Sequence, residues 1–227
     1  MPQRHATEIA CHHEGVNQLQ EHSVNQTLDR PLQPFLAAIV LAGGQSSRMG
    51  RDKALITIEG VPLLQRVCQV ALTCTPTVYV ITPWIERYQA IVPPACRFIE
   101  EARSVTEATP PGPLIGFAQA LAQVQADWVL LLACDLPRLQ AGMLQSWVTS
   151  LNQVPLEVIA MLPPGEKGWE PLCGFYRTCC LPSLESAIAQ GDRSFQRWLT
   201  QISVQALPVS DRSLLLNCNT PEDLDKF

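Results

Sequence analysis

The run Phe35-Leu36-Ala37-Ala38-Ile39-Val40-Leu41 passes directly into Ala42-Gly43-Gly44-Gln45-Ser46-Ser47-Arg48-Met49-Gly50-Arg51-Asp52-Lys53. The first part is almost continuously apolar, the pattern of a strand covered on both faces of a parallel sheet. The chain must then turn sharply. Gly43 and Gly44 permit positive φ and close backbone approach, and their N–H groups can point at an anion. Arg48, Arg51 and Lys53 bring three cations to the same turn, Arg as a fork for two oxygens and Lys as a movable point charge. A turn so equipped is suited to phosphate. It is not a Walker A loop, because the glycine pair comes first and no Lys-Ser/Thr follows Gly50, and it is not GxGxxG.

Downstream, apolar runs alternate with helical patterns, which predicts βαβ units and a mostly parallel sheet. Strands are expected at Leu36 to Leu41, Thr77 to Thr82, Arg97 to Glu100, Trp128 to Leu132, Glu157 to Leu162 and Leu172 to Arg177. Helices are expected near Pro62 to Leu72, Ile85 to Ala90, Pro113 to Val124, Gln140 to Asn152, Cys180 to Ala189, Phe195 to Gln201 and Pro221 to Phe227. Pro62 and Pro221 are placed as first-turn prolines. Ligands of open α/β sheets gather beyond the carboxyl ends of the strands. The positions to inspect are therefore the Gly43 loop, Thr82, Glu101, Asp135 and Pro163.

Composition narrows the chemistry. The 227 residues are 47% hydrophobic, enough for a full core in one domain over residues 34–227. A net charge of −5 argues against general nucleic-acid binding, so phosphate recognition must be local. Neither a membrane-spanning stretch nor a hydrophobic signal core is expected, and the chain reads as cytoplasmic. Nine cysteines without a CxxC spacing suggest neither a disulfide framework nor a zinc site, but small apolar residues in a reducing compartment.

All four histidines, His5, His12, His13 and His22, lie in a polar leader, residues 1–33, which is expected to be disordered. The foldable region has none, which removes Ser-His-Asp, Cys-His and histidine-metal chemistry from it. Cys11-His12-His13 has no periodic apolar support for a metal site. Removal of residues 1–32 is expected to leave activity intact.

The pattern LAGG-x-S-x-RMG-x-DK resembles the signature loop of nucleotidyltransferases that load sugars and cofactors with a nucleoside monophosphate, and most closely that of the molybdenum cofactor guanylyltransferases. Further blocks carry the resemblance in the same order: Gly112-Pro113-Leu114-Ile115-Gly116, Cys134-Asp135-Leu136-Pro137, Gly191-Asp192-Arg193-Ser194 and Asn217-Cys218-Asn219-Thr220-Pro221-Glu222-Asp223-Leu224. Together they span about residues 35 to 227. The resemblance implies a Rossmann-like three-layer αβα sandwich of the nucleotide-diphospho-sugar transferase type. Its N-terminal half would bind nucleotide and its C-terminal half the pterin.

The implied reaction is transfer of GMP from GTP to the phosphate of molybdopterin, with release of pyrophosphate. The implied catalytic residues are Lys53, Arg48 and Asp135. Leu41, Ala42, Gly43, Gly44, Lys53, Thr82, Glu101 and Asp135 would bind nucleotide, and Asp135 would hold Mg²⁺, a hard cation that prefers carboxylate and phosphate oxygens. Arg193, Ser194, Asn217 and Asn219 would bind the pterin. Two positions depart from the family: Glu101 stands where Asp is usual, and Thr82 near a usual Asn. Leu114, Phe117, Ala118 and Leu121 read as a core-facing helix stripe.

Two other functions stay open at this point. A cytidylyltransferase acting on the same pterin, or another sugar-type nucleotidyltransferase, is the first, although relatives that use CTP tend to open with Ala-Ala-Gly. The second is a noncatalytic nucleotide or pterin carrier. The resemblance also implies handover of the product to molybdoenzyme apoproteins or other cofactor-biosynthesis proteins.

Overall fold

The computed structural model describes residues 35–44, 52–102, 112–218 and 223. Their chain order begins with β1 (Leu36–Leu41), a hairpin of β2 (Thr57–Ile58) and β3 (Val61–Pro62), α1 (Leu63–Leu72) and β4 (Val78–Thr82). It continues through α2 (Ile85–Tyr88), β5 (Arg97–Glu100), α3 (Pro113–Leu121), β6 (Trp128–Ala133), α4 (Ala141–Ser150) and β7 (Ala160–Leu162). A second hairpin, β8 (Pro164–Gly165) with β9 (Gly168–Trp169), precedes β10 (Cys173–Arg177), α5 (Leu181–Ala189), α6 (Phe195–Leu199) and β11 (Val204–Ala206).

Seven strands form the central sheet in the order β11-β7-β10-β6-β1-β4-β5. The pairs β1 with β4, β1 with β6, β4 with β5 and β11 with β7 are parallel; β10 runs antiparallel to both neighbours. The sheet separates two cores, as the alternation of β1 requires. Ala38 and Val40 join Leu64, Val67, Tyr88, Leu144 and Trp147, so α1, α2 and α4 cover one face. Ala37 and Ile39 join Phe117, Tyr176, Leu184 and Trp198, so α3, α5 and α6 cover the other. This is the expected three-layer αβα sandwich with a mostly parallel sheet.

Local sequence explains most element bounds. In α1 the buried positions are Leu63, Leu64, Val67, Cys68 and Ala71, one helical stripe. Pro62 takes the cap position before α1 and also ends β3, so it is not the first helical residue. Gly112 has φ +81° at the start of α3, a conformation costly for any residue with a Cβ, and Pro113 follows in the first turn. Leu114, Phe117, Ala118 and Leu121 are buried, as the core stripe predicts.

The expected strand from Glu157 contracts to Ala160–Leu162, because residues 156–157 form a turn in which the Val158 N–H bonds the carbonyl of Pro155, and the Arg177 guanidinium takes the carbonyls of Val154, Pro155 and Val158. The edge strand β11 and both short hairpins were not foreseen. The helix expected over Pro221 to Phe227 lies outside the described residues except at Asp223, which is helical.

Register brings four strand ends to one rim. Leu41 is paired with both Ile81 and Ala133, and Thr82 with Glu100. The chain passes from β1 to β4 and β5 on one side and returns at β6 on the other. A crevice therefore opens where the loops leaving β1 and β6 diverge.

Candidate active site

A cavity of about 260 Å³ occupies that crevice. It is lined by Leu41 to Gly44 where β1 ends, by Cys134 and Asp135 after β6, by Glu101 after β5, and by Gly112, Pro113 and Gly116 at the start of α3. The N-terminus of α3 thus faces the cavity, and the first-turn amides and dipole of a helix favour an anion there. Lys53 stands at the start of a 3₁₀ turn, Lys53–Leu55, and reaches across to Asp135, Nζ donating to Oδ2 at 3.1 Å. Both side chains are about one-sixth exposed, so they are open to a ligand yet shielded enough for the pair to matter.

Backbone bonds fix the rim. The N–H of Ala42 donates to the carbonyl of Ile81 at 3.0 Å, that of Cys134 to Leu41 at 3.2 Å, and that of Glu101 to Thr82 at 3.0 Å. The N–H of Cys218 donates to the carbonyl of Asp135 at 3.0 Å, which ties the C-terminal segment to the rim. Burial pushes the Cys134 thiol up, with the nearby Asp135 and Asp52 carboxylates acting in the same direction and Lys53 opposing them. A neutral thiol there is no nucleophile.

Glu101 lies in the wall between two glycines. A Cβ on Gly43 would fall within the contact radius of Glu101 Oε2, and one on Gly116 would stand 3.1 Å from Oε1. The two bare Cα positions make the berth for this carboxylate. Neither Gly43 nor Gly44 has a positive φ, so the demand for glycine at 43 is one of space rather than of backbone angle.

Thr82 departs from its expected role. It is the last residue of β4 and fully buried. Its hydroxyl donates to the carbonyl of Ala42 at 3.0 Å and accepts from the N–H of Trp84 at 3.2 Å. It holds the loop and does not line the cavity. Two residues that sequence reasoning missed do line it, Asp52 and Tyr88. Asp52 had a local signal, its place beside Lys53; Tyr88 had none.

The residues expected at the pterin are dispersed. Arg193 donates to the carbonyls of Ile188 at 3.2 Å and Asp192 at 2.9 Å, closing the end of α5. Ser194 caps α6, its hydroxyl accepting from the N–H of Arg197. Neither lines a cavity described here. Asn217 does line one, an open polar cavity of about 600 Å³ shared with Lys167, Trp169, Gln196 and Arg212. Consecutive residues of one chain segment line the two cavities: Glu170 and Pro171 the larger, Leu172 the smaller. Arg48 and Asn219 lie outside the described residues, as do the leader and Cys11-His12-His13.

Among the described residues no group of three or more His, Cys, Asp or Glu side chains is arranged to hold a metal by itself. A single carboxylate on a cavity wall is a different kind of site. It fits Mg²⁺, which commonly binds through one or two carboxylates and takes its other ligands from water and phosphate.

Comparison with known proteins agrees with this architecture. The MobA-like NTP transferase domain matches residues 38–206. A protein of Nostoc sp. named "Probable molybdenum cofactor guanylyltransferase" is 60% identical over 189 residues, covering 83% of this chain and 88% of its own. The "Molybdenum cofactor guanylyltransferase" of Pseudomonas paraeruginosa is 32% identical, covering 85% and 94%. In fold, the chain is similar to the crystal structure of molybdopterin-guanine dinucleotide biosynthesis protein A from Archaeoglobus fulgidus, with a TM-score of 0.65 at 22% identity over 84% of this chain and 95% of that one.

Proposed function

The chain belongs to the MobA-like NTP transferase family, and we infer that it is a molybdenum cofactor guanylyltransferase: it transfers GMP from GTP to the terminal phosphate of molybdopterin and releases pyrophosphate. One observation carries this reading. Lys53 and Asp135, from separate parts of the chain, meet 3.1 Å apart in a cavity that is also lined by Gly43, Gly44 and the N-terminus of α3.

The reaction forms a bond between a pterin phosphate oxygen and the α-phosphorus of GTP, and breaks the bond from that phosphorus to the bridging oxygen. No general base is needed. The second ionisation of a phosphate monoester lies near pH 6, so the attacking oxygen is already ionised at neutral pH. This suits a site whose described walls contain no histidine.

Catalysis then rests on positioning and charge neutralisation. The amides of Gly43 and Gly44 and the start of α3 receive the triphosphate, Lys53 moves from Asp135 to the charge that develops on it, and Arg48 adds a second cation. Asp135 would hold Mg²⁺, which supplies electrostatic stabilisation to phosphate oxygens when bound. Glu101, seated between Gly43 and Gly116, is assigned to the nucleoside.

The acceptor site belongs to the larger cavity. Lys167 and Arg212 supply charge for a phosphate, Asn217 an amide for a pterin edge, and Trp169 an aromatic surface. The link from Cys218 to Asp135 and the shared segment Glu170–Leu172 support approach from this side. Arg193 and Ser194 support the same region indirectly, through α6. The cytoplasm is the expected compartment: the cysteines among the described residues are free, and no helix there is long and apolar enough to cross a membrane. Apo-molybdoenzymes are the proposed recipients of the product.

Pyrophosphate release, measured with each nucleoside triphosphate with and without molybdopterin, tests the reaction and the base choice together. Release is expected only with Mg-GTP plus molybdopterin. Consumption of CTP alone would make the protein a cytidylyltransferase, and binding without release would make it a carrier.

A further inference from the structure

Both ends of the phosphate loop are tied to one short stretch of chain. At the entrance, the N–H of Ala42 donates to Ile81 and the carbonyl of Ala42 accepts from Thr82 Oγ1. At the exit, Asp52 Oδ2 accepts from the Tyr88 hydroxyl at 2.7 Å and from Arg87 Nη1 at 3.0 Å. Residues 81–88 thus grip Ala42 and Asp52, the two ends of a loop whose sequence carries Arg48 and Arg51.

The exit tie is built for precision. Asp52 Oδ1 accepts from the N–H of Ala54 at 3.1 Å and so caps the turn that begins with Lys53. The same carboxylate therefore orients the Lys53 backbone with one oxygen and is itself oriented through the other. Tyr88 is 1% exposed and belongs to the core on the α1 face of the sheet. Arg87, nearly half exposed, lies over the ring of Trp84 with its guanidinium carbon 4.7 Å from the centroid. The four residues of α2 are too few for a stable helix of their own.

We propose that Tyr88, with Arg87, is a positioning residue for Lys53, acting through the Asp52 carboxylate to hold the amine in the cavity beside Asp135. The proposal assigns the β4–α2 segment a part in the reaction as the fastening of the phosphate loop. Its catalytic consequence rests on the guanylyltransferase reading; the geometric claim does not. Tyr88→Phe removes one hydroxyl from the core and leaves the ring in place.

Two measurements on the full chain separate these levels. The first is the rate at which an amine-acylating reagent labels Lys53, mapped by mass spectrometry, with Lys167 as the internal reference. In Tyr88→Phe, labelling of Lys53 should rise several-fold relative to Lys167 as the amine leaves Asp135, and Arg87→Gln should act in the same direction. An unchanged ratio in both variants, each with a cooperative melt, overturns the proposal whatever the protein's activity.

The second is a double-mutant cycle on kcat for GMP transfer. Tyr88→Phe should lower kcat about tenfold in the wild-type background and less than twofold when Lys53 is already alanine. Equal losses in both backgrounds, tracking the melting temperature, would mean that Tyr88 only supports the fold. A wild-type chain with no transfer activity would sink the guanylyltransferase reading, while the labelling ratio still decides the positioning claim.

Discussion

Gly43→Ala should damage the protein through Glu101, not through the backbone angle. The added methyl would enter the contact radius of Oε2 and stand 3.1 Å from Cδ, where heavy atoms in ordinary contact keep about 3.5–4.0 Å. On the far side, the same carboxylate abuts Gly116, so it has little room to retreat. Forcing a methyl into such a wall costs about 1–3 kcal/mol. For a domain of this size, each kcal/mol lowers Tm by about 2–4 °C, so thermal unfolding should shift down by roughly 2–12 °C. Glu101→Asp shortens the side chain by one methylene and withdraws the carboxylate from the berth. The double variant Gly43→Ala/Glu101→Asp should therefore be less destabilised than the sum of the single variants, by about 1 kcal/mol or more. Circular dichroism or calorimetry on the four proteins reads this directly. A wild-type Tm for Gly43→Ala, or strict additivity with Glu101→Asp, would refute the steric account. Gly44 is the control: among the described residues no atom stands within 4 Å of its added Cβ, and Gly44→Ala should melt with wild type.

Further outcomes follow from the same site. Lys53→Ala should reduce pyrophosphate release by about 10²–10³-fold with the circular dichroism spectrum unchanged, since it removes a cation from developing charge; near-full release would end its assigned role. Cys134, whose thiol burial keeps protonated, should resist iodoacetamide at pH 8 while the exposed Cys179 is modified. Equal labelling of the two, mapped by peptide, would show that the cavity does not hold the thiol neutral. Glu170 is held above the ordinary carboxyl range chiefly by burial, with Glu166 adding and Arg212 opposing. The folded state therefore binds more protons than the unfolded one as pH rises from the ordinary carboxyl value to the raised one, and stability falls across that window. Glu170→Gln should lose less Tm than wild type between pH 4 and pH 7; identical losses would mean that Glu170 does not carry this dependence.

The parts of the fold that were legible in the sequence are those that local chemistry determines. β1 and β6 are buried on both faces and sit between other strands, so an unbroken apolar run is the only pattern they can carry, and their bounds were readable almost to the residue. β11 is an edge strand of three residues with Gln205 and Ala206 exposed and Val204 half-buried, so nothing in its pattern distinguishes it from a loop. β8 and β9 have two residues each and owe their pairing to tertiary ties: Gln196 bonds both the N–H and the carbonyl of Trp169, and Arg212 donates to the carbonyl of Pro164. Gln196 is in turn placed by α6, which Ser194 caps. The block Gly191-Asp192-Arg193-Ser194 thus has a structural explanation in which its polar groups are spent on helix ends.

The site divides in the same way. Gly43, Lys53, Glu101 and Asp135 follow strand ends or their adjoining loop, and the rule that ligands gather beyond those ends is enough to find them. Thr82 fails by a single position: as the last residue of β4, not the first beyond it, its side chain still obeys the strand's alternation and turns into the protein, where it bonds Ala42. The same physics that hides Thr82 from a ligand gives it control of the loop. Asp52 and Tyr88, 36 residues apart, are joined by one hydrogen bond that no sequence period encodes. A residue that touches phosphate must carry a charge or an open amide and so advertises itself by type; a residue that aims it needs only one donor at the right distance. Tyr88 supplies that donor from inside the core, which is why the structure was needed to connect it with Lys53.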